Sequence, residues 1–323
     1  MSINVTIVKK LIENWCEKMV EGILPLWKEK GMTSFDCVSR VRKIVGMKKV
    51  GHAGTLDPDV EGVLPIALGG ATKVLEFMLE GDKVYAGEVT LGYTTSTEDA
   101  SGEIIVRKEL ADELVETTVD DVLELFVGKI QQTPPMFSAV KVNGKRLYEY
   151  AFEGKEIERP SREVTIYSIV RTSPVVYDEM EKTLRFSFDV KCSKGTYIRT
   201  LAVDIGEKLG YPAHMSKLTR INSGGITEKQ TIKLGDLEKI VEENKLSKYL
   251  LPIDYGLTDF ERLAISEELW EKVKNGAILD VSELDTTSYP VILIYKETIV
   301  SLYDKHPSKK GKLKPRKMFK NNL

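Results

Sequence analysis

Asp57 is the side chain in this sequence best placed to do chemistry, because the residues around it predict a tight turn. Gly51 and Gly54 permit backbone angles that are closed to other residues. Pro58 biases Asp57 towards an extended backbone and donates no hydrogen bond, so no helix continues through this point. Such a loop can present the carboxylate as a nucleophile or a base. An Asx-type turn that only caps the next element is the alternative reading.

Arg199 is the second candidate, because it falls in the first turn of a predicted helix that ends at Gly210. The helix dipole disfavours a cation there by about 0.3–1 kcal/mol. We therefore expect a carboxylate beside Arg199, and a bidentate pair would orient both groups. An ordinary surface ion pair is the alternative.

Other catalytic chemistries find little support in the sequence. Asp57 and Glu61 could form the carboxylate pair of a hydrolase that acts on glycosidic bonds. Residues 69–72 (GGAT) lack the lysine and the spacing of a phosphate-binding loop, and no dinucleotide fingerprint is present. The three cysteines lie far apart without a CxxC pair, which argues against structural zinc and for a reducing compartment. We expect a cytoplasmic protein without cofactor or metal.

Composition and charge predict a globular protein with one polyanion-binding side. The chain has 323 residues, 42% of them hydrophobic, which suits two domains with buried cores. No apolar stretch reaches the roughly 18 residues that span a bilayer, and the N-terminus lacks the pattern of a secretory signal. The net charge is −2, yet residues 40–50 carry five cations and residues 305–320 carry eight, with no acid in either segment. A charge run is usually a solvated face, but two such patches on an otherwise acidic chain favour a polyanion footprint.

The elements that must position Asp57 and Arg199 follow from sequence periodicity. We predict a strand over residues 22–27 and then a helix capped by Thr33, with Phe35, Val38, Val41 and Val45 on its buried face. Further predictions are a helix over residues 72–79, a strand over 85–93, a surface helix over 118–126 and a one-face-buried strand over 184–192. The mixed order of strands and helices indicates an α+β fold.

Six motifs in this chain resemble landmarks of the TruB family of tRNA pseudouridine synthases, and they occur in that family's order. The resemblance covers nearly everything from about Gly22 onward. The motifs are Gly22-Ile23-Leu24-Pro25-Leu26, Gly31-Met32-Thr33-Ser34-Phe35-Asp36, Gly51-His52-Ala53-Gly54-Thr55-Leu56-Asp57-Pro58, Lys83-Val84-Tyr85, Gly195-Thr196-Tyr197-Ile198-Arg199-Thr200 and Leu251-Pro252-Ile253-Asp254.

The resemblance implies a fold, an activity and a partner. The implied fold is a mixed, largely antiparallel central sheet with flanking helices and a small C-terminal β-rich domain similar to PUA domains. The implied reaction isomerises uridine to pseudouridine at position 55 in the T loop of tRNA, without cofactor or metal. We expect a monomer that binds tRNA and no membrane. A tRNA-binding folding helper whose catalysis is incidental is the alternative.

The resemblance also assigns roles to individual residues. Asp57 becomes the catalytic nucleophile or base and Arg199 its partner. Tyr85 becomes the stacking surface for a base that leaves its neighbours, and Tyr197 a second contact to that base. His52 supports the extruded loop, and Leu218 closes the base pocket. From the residues alone, both tyrosines and the histidine could equally be packing residues.

The same reading divides the chain and places its RNA contacts. Residues 1–18 match nothing in the family and form an extension, residues 19–255 the catalytic domain with a thumb-like insertion at 128–154, and residues 256–323 the PUA-like domain. The basic Asn143-Gly144 hairpin of the insertion predicts a clamp over a polyanion. The predicted RNA contacts are Arg40, Lys43, Lys48, Lys49, Lys141, Lys145, Arg146, Lys309, Lys310 and Lys312.

Overall fold

A computed structural model describes residues 20–111 and 115–323 of the chain. The predicted extension, residues 1–18, lies outside the described residues, and so does Cys16.

A large mixed sheet of eleven strands forms the centre of the molecule. Its main path runs β15-β1-β3-β13-β4-β12-β10-β7, and the neighbours are antiparallel except at β15-β1 and β13-β3. β2, β11 and β14 pair with β3, β12 and β13. The strands in chain order are β1 (Gly22–Lys28), β2 (Val50–His52), β3 (Glu61–Leu68), β4 (Lys83–Leu91), β5 (Tyr93–Thr95), β6 (Ile104–Arg107), β7 (Gly128–Gln132), β8 (Lys141–Val142), β9 (Lys145–Arg146), β10 (Arg162–Arg171), β11 (Val176–Asp178), β12 (Thr183–Cys192), β13 (Ala213–Ser223), β14 (Ile226–Thr227), β15 (Ile232–Lys233), β16 (Glu261–Ala264), β17 (Leu279–Asp280), β18 (Val291–Tyr295), β19 (Thr298–Lys305) and β20 (Lys312–Met318).

Most helices of the described residues flank this sheet, whereas the last one packs against strands β18–β20, and none of them is long and apolar enough to cross a membrane. They are α1 (Ser34–Val45), α2 (Leu75–Glu80), α3 (Glu116–Glu124), α4 (Leu147–Phe152), α5 (Ile198–Leu209), α6 (Leu234–Glu242) and α7 (Glu267–Val273). The predicted α+β fold with a largely antiparallel sheet is confirmed.

Helix α1 begins and ends where the sequence predicts, but one residue of its buried face was wrong. Thr33 and Asp36 form a reciprocal capping box, and the helix ends at Gly46 with φ +65°. Val38 and Val41 are buried, whereas Phe35 is 63% exposed. Ser34 and Cys37 occupy the core-facing side with the two valines, and Phe35 lies about 100° around the helix from Ser34.

The predicted thumb-like insertion, residues 128–154, includes one strand of the central sheet. Its first five residues form β7, which pairs with β10 at the edge of that sheet, and the insertion itself stays a prediction. The hairpin turn is confirmed: Asn143 and Gly144 both have positive φ, at +51° and +82°, and join β8 to β9.

The C-terminal module is a five-stranded sheet in the order β16-β18-β19-β20-β17. Its β-rich character is confirmed, and much of the basic segment, residues 305–320, lies in the strand β20. Ile292, Leu302 and Phe319 of this module pack in one hydrophobic core with Val63 and Phe77 of the preceding domain. The two parts of the chain therefore share buried apolar surface.

Candidate active site

The Asp57 loop, residues 53–60, joins β2 to β3 and contains no helix, as predicted. Gly54 has φ +102°, a conformation that favours glycine. The prediction that Gly51 adopts backbone angles closed to other residues was wrong. This residue lies in β2 without a positive φ, and a Cβ atom there would lie 2.7 Å from Leu75 Cδ1, so a larger residue would require the Leu75 side chain to shift.

Lys28 anchors the part of the loop that follows Asp57, and it does so from within the core. Its side chain is fully buried, and Nζ donates to the carbonyls of Pro58 (3.0 Å) and Val60 (2.7 Å) and to that of Glu29 (3.2 Å). Burial lowers the pKa of Lys28, and the carboxylates of Asp57 and Asp59 oppose that effect. A cation held among carbonyls of a loop both orders the loop and offsets part of the cost of its own burial.

Arg220 of β13 anchors the part of the loop that precedes Asp57. The residue is 1% exposed. Its Nε donates to Val63 O (2.8 Å) and its two terminal nitrogens donate to the carbonyls of Thr55 (3.4 Å) and Gly54 (3.1 Å). The backbone on both sides of Asp57 is therefore anchored by buried cations, which leaves the carboxylate with little freedom.

Arg199 lies at the second position of α5, which follows the N-cap residue Tyr197. The residue is 7% exposed, and its Nη2 lies 3.1 Å from Asp57 Oδ2. The predicted pair therefore forms. The bidentate geometry was wrong, because Nη2 also donates to Phe137 O and Nη1 donates to Thr97 O, both at 3.0 Å.

Asp99 is a further carboxylate near Arg199 that the sequence patterns did not indicate. Its Oδ1 accepts hydrogen bonds from the Thr97 hydroxyl and from the backbone and side chain of Ser101. Its Oδ2 lies 3.9 Å from Arg199 Nη1. The Thr/Ser-rich turn between β5 and β6 thus places two acceptors, Thr97 O and Asp99, against the guanidinium. The preceding residue, Glu98, adopts φ +63° to form this turn.

Two opposing effects act on the pKa of Asp57. The pocket walls desolvate the carboxylate and raise its pKa above the usual range, Arg199 acts in the opposite direction, and Asp99 raises the pKa further. Burial is the larger effect although 44% of the side chain is exposed. A raised carboxylate pKa is common where a carboxylate acts as base or nucleophile.

Asp57 opens into a pocket of about 410 Å³ between the loop, β4, α5 and the base of the insertion. Four other predicted site residues line the same pocket, namely Arg199, Tyr85, Tyr197 and Leu218. Tyr197 is held on both backbone groups by the buried Gln132 side chain, at 2.9 and 3.1 Å. Burial raises the pKa of Tyr85, so this phenol is protonated at neutral pH.

His52 and Glu61 do not line the pocket. His52 lies in β2 opposite Ile66, and burial lowers the pKa of its half-buried imidazole. Its supporting role stays a prediction. Glu61 begins β3, opposite Thr219 of β13, and this placement argues against a carboxylate pair with Asp57.

The pocket wall is strongly cationic. Among the described residues, it contains five basic side chains and a single carboxylate, that of Asp57. Burial lowers the pKa of one of the basic groups, Lys83, to about 8, so that this amine is mostly protonated at neutral pH. The basic residues are Lys83, Arg162, Lys194, Arg199 and Arg220. Such a wall suits an anionic ligand.

The predicted RNA-contact residues fall into two groups. Arg40, Lys43, Lys48, Lys49, Lys141, Arg146, Lys309 and Lys310 are exposed. The other two have acidic partners, because Lys145 pairs with Glu153 and Lys312 with Asp280 at 2.7 Å. Near Lys312 in β20, Lys317 pairs with Glu76 of α2 at 2.5 Å. Part of the C-terminal charge therefore serves the structure of the protein.

Comparison with known proteins gives a consistent result. Residues 42–198 match the model for the TruB family pseudouridylate synthase N-terminal domain, and residues 199–258 match that for the tRNA pseudouridylate synthase B C-terminal domain. The tRNA pseudouridine synthase B of Halalkalibacterium halodurans is 50% identical over 303 residues, covering 93% of this chain and 98% of that protein. The enzyme of the same name from Limosilactobacillus reuteri is 48% identical over 303 residues, covering 94% of this chain and all of that protein.

Among solved structures, the chain superposes on one in a crystal structure of a Cbf5–Nop10–Gar1 complex with a TM-score of 0.71 at 26% identity. The match covers 95% of this chain and 87% of the other. Fold, pocket and sequence agree, and this chain belongs to the TruB family of pseudouridylate synthases.

Proposed function

We propose that this protein isomerises uridine to pseudouridine at position 55 in the T loop of tRNA, with Asp57 as the nucleophile or base that starts the reaction. The observation that carries the proposal is the Asp57–Arg199 ion pair at 3.1 Å in the wall of a cationic pocket. The relatives' tRNA substrate supports the choice of RNA.

The chemistry requires a closed site rather than a cofactor. The bond between C1′ and N1 of the nucleoside breaks, the uracil turns, and a bond forms between C1′ and C5, which then loses its proton. An ionised Asp57 can attack the sugar or the base, or remove a proton from the sugar, and each route begins with the same carboxylate. Arg199 keeps this carboxylate aimed into the pocket.

The remaining residues fit a flipped nucleotide. Tyr85 supplies an aromatic face on which the base stacks, and Leu218 closes the pocket with an apolar side chain. Tyr197 contacts the base from the start of α5, and Gln132 holds its backbone in place. His52 supports the loop that the base leaves. The C-terminal module, residues 256–323, contacts phosphates and positions the tRNA.

The test is incubation of the purified protein with an unmodified tRNA transcript, followed by mapping of pseudouridine at single-nucleotide resolution. We expect modification at position 55 alone, and none with Asp57→Asn. Release of free uracil would instead indicate a hydrolase. Normal tRNA binding by a parent protein that forms no pseudouridine would favour the folding-helper alternative.

A further inference from the structure

Ser138 presents a buried hydroxyl that has no partner within the described part of the chain. The residue is 5% exposed, its Oγ makes no hydrogen bond there, and it lines the same pocket as Asp57. A buried hydroxyl without a partner costs free energy, and folded proteins rarely keep one. When such a group borders a ligand pocket, a ligand atom is the natural partner.

The backbone on both sides of Ser138 is fixed. The carbonyl of Phe137 accepts from Arg199 Nη2 at 3.0 Å, and the carbonyl of Ser138 itself accepts from the backbone of Tyr148 at 3.1 Å. Two residues on, the carbonyl of Val140 accepts from Leu147 at 2.8 Å. Ser138 Oγ is itself buried, so contact with a ligand requires rotation about the Cα–Cβ bond, which leaves this backbone in place.

The stronger hydrogen-bond donors of the pocket wall already have protein acceptors. Arg199 forms an ion pair with Asp57 and donates to two carbonyls, and Arg220 donates to three carbonyls. Lys83 donates to the carbonyls at the end of α2, those of residues 79 and 81. A base that enters this pocket needs donors for its own oxygens, and the Ser138 hydroxyl has no protein acceptor that competes for it.

Arg162 Nε is the other fully buried side-chain atom of the pocket wall that lacks a partner among the described residues. It belongs to a guanidinium that lies 4.5 Å from the ring centroid of Tyr197 and also donates to Gly195 O. Because this guanidinium is stacked and bonded, Nε cannot turn towards a ligand as a hydroxyl can.

We infer that Ser138 is a substrate-binding residue whose hydroxyl donates a hydrogen bond to a carbonyl oxygen of the target uracil. Uracil carries two such oxygens, O2 and O4, and both lose water when the base enters the pocket. The inference rests on the proposed function, since it takes uridine as the ligand. Ser138 would thus bind the base while its neighbour Phe137 holds the arginine that orients Asp57.

The experiment compares Ser138→Ala with Ser223→Ala. Ser223 is a matched control, because it is 1% exposed, its hydroxyl also lacks a partner among the described residues, and it lies outside the pocket. Both substitutions remove an unsatisfied buried hydroxyl, so neither should lower the melting temperature. With enzyme in excess over tRNA but below saturation, we expect Ser138→Ala to lose about tenfold in single-turnover rate, and Ser223→Ala to retain the parent rate.

A second arm identifies the contacted oxygen. Substrate tRNAs carry 2-thiouridine or 4-thiouridine at the target position, because sulfur is a weak hydrogen-bond acceptor. The loss caused by Ser138→Ala should shrink to less than about twofold on one of the two. An equal loss on both thio substrates, or a parent-like rate on uridine, would overturn the inference while leaving the proposed function standing. If the parent protein forms no pseudouridine at all, the proposed function fails and this inference fails with it.

Discussion

Arg199 holds Asp57 through one nitrogen, with Nη2 lying 3.1 Å from Oδ2 of the carboxylate. The remaining donors of the guanidinium bind main-chain carbonyls of two separate segments, the β5–β6 turn and the base of the insertion. The arginine therefore joins three parts of the chain at the point where the carboxylate enters the pocket.

Asp57→Asn should abolish turnover and spare binding. The change keeps the size and polarity of the side chain and removes its charge, so we expect a loss of roughly 10³-fold or more in single-turnover rate. Affinity for tRNA, measured by filter binding, should stay within about twofold of the parent. A variant within tenfold of the parent rate would contradict the role given to Asp57.

Arg199→Lys should fail although it keeps the charge. An ammonium has no planar fork and cannot contact Asp57, Thr97 O and Phe137 O at once. We expect a loss of roughly 10- to 100-fold in single-turnover rate at saturating tRNA. A normal rate would show that the orientation of the carboxylate does not depend on this bridge.

The rate should fall in acid with a midpoint above the usual range for aspartate. Either proposed role needs Asp57 ionised, and desolvation raises its pKa, so protonation at falling pH removes activity. Asp99→Asn should move the midpoint of this acid loss of activity to lower pH, because the negative charge of Asp99 raises the pKa of Asp57. Asp59→Asn, a weaker and exposed neighbour, is the control and should move it less. If the midpoint of Asp99→Asn equals that of the parent, the loss of activity in acid does not report the protonation of Asp57.

Asp204→Asn should stabilise the protein at neutral pH. Burial and the nearby carboxylates of Glu98 and Glu207 raise the pKa of Asp204 to about 6, so its ionised form is disfavoured in the folded state. The folded pKa lies above the unfolded one, and the parent therefore regains this stability as pH falls from about 6 towards 4. We expect Asp204→Asn to raise the free energy of unfolding by roughly 1–3 kcal/mol at pH 8, a value reduced by the partial exposure of the side chain. This difference from the parent should disappear near pH 4. Urea titrations across this range test it, with the exposed Glu207→Gln as the comparison.

Lys309 and Lys310 should bind phosphate and take no part in the reaction. Both are exposed, and within the described residues neither has a carboxylate within 4 Å. Reversing both charges should weaken tRNA binding and lower the log–log salt slope by nearly one unit for each phosphate that the protein no longer neutralises, while the rate at saturating tRNA persists. Lys229→Glu is the matched control, an exposed lysine outside both basic segments. Equal effects of the double variant and the control would contradict a specific role for this pair.

The parts of the site that local sequence signals specify were predictable. Glycine and proline determine the character of the Asp57 loop, and the position of Arg199 in its helix requires a carboxylate nearby. The prediction failed where tertiary packing decides the outcome. Phe35 has the right spacing for a core residue, yet Ser34 takes that face because its hydroxyl accepts from Leu56 N at 2.9 Å.

The residues that support the site could not be predicted from the chain. Lys28 and Arg220 look like surface cations in sequence, and their burial depends on strands that meet only in the folded sheet. Gln132 falls in the insertion predicted at residues 128–154, but pairing of β7 with β10 makes it a sheet residue whose side chain bonds to Tyr197. No pattern of spacing carries such information. The domain boundaries at residues 19 and 256 stay predictions.

The hydrophobic core shared by the catalytic domain and the C-terminal module has a consequence for substrate selection. Phe319 and Leu302 pack with Val63 and Phe77. This packing fixes the distance between the lysines of the module and Asp57. If the lysines bind phosphates as proposed, an RNA engages both ends only when its phosphates and its target uridine are separated by that distance. Discrimination among RNAs would then begin with their three-dimensional shape, before any base enters the pocket.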